Sequence, residues 1–167
     1  MWVEHERELQ MMKCVCIVMG FILLTSCAVG QQSEADKESP VLLISGPELI
    51  SLHFKRGHPK AGEPLVSALG DEFSKGALDR DLSILKRYGD LRFEILGFTD
   101  SEECSGSDCD ELSLLRAMAV YDWLVKNGVS RSSLSDVAGR GASLPIDDNG
   151  TDDGRSVNRR VEINIVP

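Results

Sequence analysis

LRFEILGFTD (Leu91 to Asp100), SEECSGSDCD (Ser101 to Asp110) and ELSLLRAMAVYDWLVKNG (Glu111 to Gly128) run together as strand, loop and helix. Leu91, Phe93 and Ile95 alternate with Arg92 and Glu94, the period of two that gives a strand one apolar face, and the strand runs out at Gly97-Phe98-Thr99-Asp100. Beyond the loop to Asp110, Leu114, Ala117, Met118, Tyr121, Leu124 and Val125 recur at helical spacing. They predict the buried stripe of a helix that stops near Asn127-Gly128. Strand end and helix bracket the candidate site.

Working outward, Ile50, Leu52 and Phe54 predict an earlier strand after Pro47. Lys55 to Glu72 carries Gly57, Pro59, Gly62, Pro64 and Gly70, and reads as a loop with at most one helical turn. Leu78, Leu82 and Leu85 then mark a helix, with Ser74 as its N-cap and Gly89 as its stop. Downstream, Leu134 to Gly141 supplies a third strand, Pro145 to Gly154 a turn-rich acidic loop, and Val161, Ile163 and Ile165 the last strand. The order βαβαββ predicts an α/β domain, an α+β sandwich of a mixed sheet with helices packed on one face.

Ahead of this domain lies an export signal. Lys13 precedes an apolar run of roughly a dozen residues, the length of a signal-peptide core and short of a membrane span. Met1 to Gln10 is acidic and a poor n-region, which points to Met11 or Met12 as the start. Leu24-Thr25-Ser26-Cys27 resembles a bacterial lipobox, so residues 1–26 are expected to be cleaved and Cys27 to be lipidated; an uncleaved anchor is the other reading. Residues 27–46 read as a lipidated N-terminus and tether, since Ala28 to Pro40 is small and polar and cannot bury enough surface to order itself. Residues 47–167 form the domain. The net charge of -9 repels a phosphate backbone, which argues against nucleic acid as a partner. Of five cysteines, only Cys104 and Cys109 fall in the folded part, and an even pair in an exported domain favours a disulfide over free thiols.

Several spaced motifs then occur in one order: Gly97-Phe-Thr-Asp100, Leu112-Ser-Leu-Leu-Arg-Ala117, Val129, Gly139-x-Gly141, Pro145, Asn149-Gly-Thr151, Gly154-Arg155 and Asn158-Arg-Arg-Val-Glu162. Together they resemble the OmpA-like peptidoglycan-binding domain. The resemblance implies that Asp100 and Arg116 bind diaminopimelate of the stem peptide, with Thr99 and Arg160 as further ligand candidates. The chemistry is coherent by itself. Diaminopimelate carries an ammonium and a carboxylate on one carbon, so its receptor needs an anion and a cation converging from two elements, and arginine offers a bidentate fork. A salt bridge from Asp100 to Arg116 that only fixes the loop is the bland alternative. The chain departs from the family pattern in lacking the glycine shortly after the aspartate, in a loop about one residue longer, and in Cys109 standing where asparagine is common. A Cys104–Cys109 bridge would hold that loop. Metal binding by the acidic loop is not expected, because its glycine is displaced from where an EF-hand turn needs it. Arg155, Asn158, Arg159 and Arg160 satisfy either ligand or neighbouring carbonyls and acids.

The expectation is a non-enzymatic outer-membrane lipoprotein, its domain in the periplasm, that binds peptidoglycan and needs no cofactor. The alternative is an adaptor of an envelope machine, such as a secretion apparatus or a stator, in which wall binding is secondary to a protein partner. A hydrolase is disfavoured: His53 and His58 have no accompanying nucleophile motif, and Gly139 to Ser143 lacks the lysine of a phosphate loop.

Overall fold

The computed structural model describes residues 46–167; the expected leader, Cys27 and the expected tether up to residue 45 lie outside the described residues. In chain order the elements are β1 (Leu52–His53), α1 (Leu65–Ala68), α2 (Glu72–Arg87), β2 (Arg92–Gly97), α3 (Ser107–Lys126), a 3-10 turn (Arg131–Ser133), β3 (Leu134–Gly139), α4 (Asp152–Asn158) and β4 (Arg160–Val166). Alternation does what it must in β2: Phe93 and Ile95 are fully buried, Arg92 is exposed and Glu94 half-buried. The sheet order is β1-β4-β2-β3. β4 runs antiparallel to β1 and β2, whereas β2 and β3 are parallel. Parallel neighbours need a long crossover, and α3 supplies it.

One cluster joins the sheet to both long helices. Phe93, Ile95, Val161 and Ile163 pack with Leu78 and Leu85 of α2 and with Ala117, Val120 and Leu124 of α3. The helices therefore cover a single face, and Glu94, Leu96, Glu162 and Asn164 on the other face stay half-buried. Two glycines set how closely α3 approaches. Gly97 and Gly139 lie opposite each other in the β2–β3 register. A Cβ on Gly97 would lie 1.9 Å from the Ser113 carbonyl oxygen, and one on Gly139 would lie 2.5 Å from Ser113 Oγ. Only bare backbone lets the first half of α3 rest on the ends of these strands, which is what brings Arg116 beneath the loop that follows β2.

The structure departs from the sequence expectations in four places. Asp71, not Ser74, caps α2, its carboxylate accepting from Ser74 N at 2.6 Å. Ser74 is buried and accepts from His53 N at 3.0 Å, tying the helix to β1. α3 begins at Ser107, so Cys109 lies in its first turn. Its buried face is Cys109, Ser113, Arg116, Ala117, Val120 and Leu124, while Leu114 and Met118 are 42% and 40% exposed. Finally, α4 occupies the end of the acidic loop and the unassigned residues before the last strand, so the order is βααβαβαβ. Thr151 caps α4 by accepting from Gly154 N at 3.0 Å, and Asp152 and Asp153 sit favourably in its first turn.

Candidate functional site

Asp100 leaves the end of β2 with its carboxylate fully engaged. Oδ1 accepts from Glu102 N at 2.7 Å and Glu103 N at 2.8 Å, a tight turn closed by an acidic side chain. Oδ2 accepts from Arg159 Nη1 at 2.7 Å. The Asp100 side chain is fully buried and that of Arg159 is 14% exposed. Burial pushes the Asp100 carboxyl up, but the Arg159 hydrogen bond and the two amides outweigh it and hold it below its usual range.

Arg116 comes from the buried face of α3 and uses every donor it has. Nε donates to the His58 carbonyl at 2.8 Å, Nη1 to the Phe98 carbonyl at 2.9 Å and Nη2 to the Lys55 carbonyl at 3.2 Å. The remaining two hydrogens make a fork on Glu103, at 2.6 Å to Oε1 and 2.8 Å to Oε2. The Phe54 ring lies 5.3 Å from the guanidinium carbon. Both side chains of the pair are fully buried. Glu103 is satisfied as completely: Oε1 also accepts from Asp100 N at 3.2 Å and Oε2 from Gly57 N at 2.8 Å.

The two residues singled out from the sequence are therefore neighbours but not partners. One oxygen of Glu103 touches both the Arg116 fork and the Asp100 amide, while the Asp100 carboxylate pairs with Arg159. The Asp100–Arg116 salt bridge is absent. Arg160 does not join them. Its guanidinium stacks 3.9 Å from the Phe98 ring centre and donates to Glu162 at 2.6 Å and to the Leu144 carbonyl at 3.2 Å. Arg159, the C-cap of α4, precedes β4, which starts at Arg160, so it is Arg159 rather than Arg160 that reaches Asp100. Thr99 is held through its backbone, N to the Gly141 carbonyl at 3.0 Å. Its hydroxyl is the one buried side-chain polar atom among the described residues with no hydrogen-bond partner.

The loop over this cluster is braced at its edges. Ser101 N donates to Asn149 Oδ1 at 3.3 Å, and Arg56 Nη2 to the Glu102 carbonyl at 3.0 Å. Arg155 bonds the Asn149 carbonyl at 2.7 Å and Glu102 at 3.2 Å, and pairs with Asp152. Cys104 and Cys109 are disulfide-bonded with their Cα atoms 5.1 Å apart, which fastens the far end of the loop to the first turn of α3. Closing so short a loop restricts the unfolded chain by about 2 kcal/mol. Glu103, Arg159 and Gly57 are the members of the site that the motifs did not reveal as such. Glu103 carries no spacing signal, being one acid among several in a loop.

A family model described as the OmpA family matches residues 66–159, more than half of the chain. The peptidoglycan-binding protein ArfA of Mycobacterium tuberculosis (strain ATCC 25618 / H37Rv) is 42% identical over 86 residues, which span 52% of this chain and 26% of that protein. The probable lipoprotein YiaD of Escherichia coli (strain K12) is 38% identical over 85 residues, covering 50% of this chain and 37% of that protein. The chain thus spans well under half the length of either relative. Among solved structures, the peptidoglycan-associated lipoprotein from Burkholderia pseudomallei superposes with a TM-score of 0.58 at 20% identity, over 70% of this chain and 89% of that one. At that identity the likeness is one of fold.

Proposed function

Since the chain belongs to the OmpA family, we propose that its domain binds peptidoglycan non-covalently through the diaminopimelate of the stem peptide. Asp100 takes the ammonium, Arg116 the carboxylate, and a lipid on Cys27 ties the domain to the outer membrane. One observation carries the reading: a single carboxylate oxygen touches both the Arg116 fork and the Asp100 amide, so a ligand carboxylate seated there would hold its own ammonium near the Asp100 side chain. The unpartnered Thr99 hydroxyl next in sequence supports it, because a buried polar atom without a partner is costly and a ligand would satisfy it. The names of ArfA and YiaD, one for peptidoglycan binding and one for a lipoprotein, agree with the two halves of the proposal.

Two charge-assisted contacts contribute roughly 3 to 6 kcal/mol gross, so one stem peptide is held weakly. A lipid anchor beside a repeating polymer converts such weak contacts into retention by raising the effective concentration. Full-length chain purified in detergent is expected to pellet with diaminopimelate-type peptidoglycan, and free meso-diaminopimelate is expected to release it. Protein that stays in the supernatant at every wall concentration would sink the reading. A second reading, the adaptor of an envelope machine, draws on an exposed apolar strip of Val66, Leu115 and Met118 along one groove. Pelleting that appears only after envelope extract is added would select it. The lipid is tested separately: Cys27→Ser is expected to accumulate as an unprocessed, non-acylated precursor, and normal processing of that variant would remove the anchor.

A further inference from the structure

The same cluster is closed by a piece of the chain that has the ligand's own chemistry. Glu103 places a carboxylate on the Arg116 fork, and the Glu102 and Glu103 amides place N–H donors on Asp100 Oδ1. Two consecutive residues, Glu102 and Glu103, thus occupy the cation and cover the anion of a receptor built for a zwitterion. Resting on the peptidoglycan reading above, we propose that Glu103 is an internal occupant of the carboxylate receptor, and that ligand binds by displacing it together with the 101–103 turn.

The geometry favours displacement as a unit. A ligand carboxylate at that position inherits the same four donors: two from Arg116, one from Gly57 N and one from Asp100 N. The turn that carries Glu103 has little else buried. Ser101, Glu102, Ser105 and Gly106 are exposed, and the bonds from Asn149, Arg56 and Arg155 that brace the turn lie at the surface. Lifting residues 101–103 opens both halves of the receptor together, because the amides that leave Asp100 belong to the segment that withdraws the carboxylate from Arg116. The Cys104–Cys109 bridge limits the movement, since it pins the residue after Glu103 to α3. Glu103 therefore sets a threshold. Only a ligand offering a carboxylate and an ammonium in one piece replaces both sets of bonds, whereas a lone carboxylate replaces one.

Apparent affinity falls by the fraction of time the receptor is open, so removing the occupant should strengthen binding roughly ten- to a hundred-fold. The test titrates full-length protein in detergent with a stem tripeptide ending in meso-diaminopimelate, and follows thermal unfolding with and without acetate. Glu103→Ala is expected to bind the tripeptide at least about ten-fold more tightly than the unsubstituted chain. Acetate should raise the melting temperature of that variant alone, by refilling the space on Arg116. Equal or weaker tripeptide binding by Glu103→Ala, where the unsubstituted chain binds, would overturn the displacement and leave the peptidoglycan reading standing. Acetate rescue with no tripeptide binding by either protein would have the opposite meaning: the carboxylate receptor is real and the ligand class is wrong. Should Glu103→Ala not fold, the double variant Cys104→Ser/Cys109→Ser keeps Glu103 and frees the far end of the loop. Several-fold tighter binding then supports the proposal, and unchanged binding overturns it.

Discussion

Arg116→Met is expected to lower the stability of the domain by about 3 to 5 kcal/mol, read from urea unfolding at neutral pH, because it leaves a buried carboxylate without its partner. The substitution is close to isosteric along the stem, so packing against Phe54 largely survives and the loss is electrostatic. What disappears is the fork on Glu103 and three bonds to the Lys55, His58 and Phe98 carbonyls, which join the loop after β1 to the end of β2. Arg116→Lys should recover only part of this, since an ammonium is a point charge and cannot replace a planar fork. Arg116→Met combined with Glu103→Gln should be more stable than Arg116→Met alone, the neutral amide costing less to bury than the orphaned charge. A loss under about 1 kcal/mol for Arg116→Met would mean that Glu103 finds water or another cation at once, and the buried network would not deserve the weight placed on it. The prediction also bears on function. Lost wall binding in an Arg116 or Asp100 variant is ambiguous between contact and collapse, so the informative substitution is that at Glu103, where the expected change is a gain.

Arg116 lies buried on α3, but the pattern of that helix does not reveal its surroundings, because hydropathy stops being informative where polar residues turn inward. The apolar residues of α3 point to a stripe through Leu114, Met118 and Val125, yet the helix is turned so that Ser113 and Arg116 face inward. A polar residue can occupy a buried face when every donor and acceptor is met. Ser113 Oγ donates to the Asp110 carbonyl at 2.9 Å and accepts from Gly141 N at 2.9 Å, and Arg116 spends all five hydrogens. Those partners are 28 or more residues away for the Gly141, Lys55 and His58 bonds, beyond any local pattern. The strands were legible because alternation is local and strong in Phe93, Ile95, Val161 and Ile163. Helix α4 was hidden because it spans only seven residues, Asp152 to Asn158, and its buried members, Gly154 and Asn158, are not apolar. Gly154 is required there for closeness, as a Cβ would lie 2.1 Å from the Asp148 carbonyl oxygen. The spaced motifs found Asp100, Thr99 and Arg116 as positions, but they could not show that a loop glutamate already sits where a ligand carboxylate belongs.

The pH profile of stability turns on a residue outside the site. Asp81 of α2 is fully buried, and both its oxygens accept from one donor, Ile50 N, at 3.3 and 3.1 Å. Burial pushes its carboxyl up to about 6, with the Ile50 amide and the charge of Arg80 opposing. Because the folded value lies above the ordinary 3.8, the folded state binds the proton more tightly than the unfolded chain does. Its contribution is therefore fully present below about pH 4 and is lost as pH rises through about 6. Asp100 has the opposite sign. Its carboxyl is held below the usual range, so its contribution is present above the ordinary value and is lost as pH falls through the depressed one. The two windows do not overlap, and the pair favours a stability maximum near the lower edge of the Asp81 window. Asp81→Asn keeps an acceptor for Ile50 N and stands in for the protonated acid, so it should match the unsubstituted chain at about pH 4. Above pH 6 it should be the more stable by roughly 1 to 3 kcal/mol, the upper end being the full shift and the lower end allowing for screening by solvent. Urea unfolding across this range is the measurement. Parallel pH profiles for the two proteins would show that Asp81 keeps an ordinary carboxyl, reached by water through the segment that Ile50 covers.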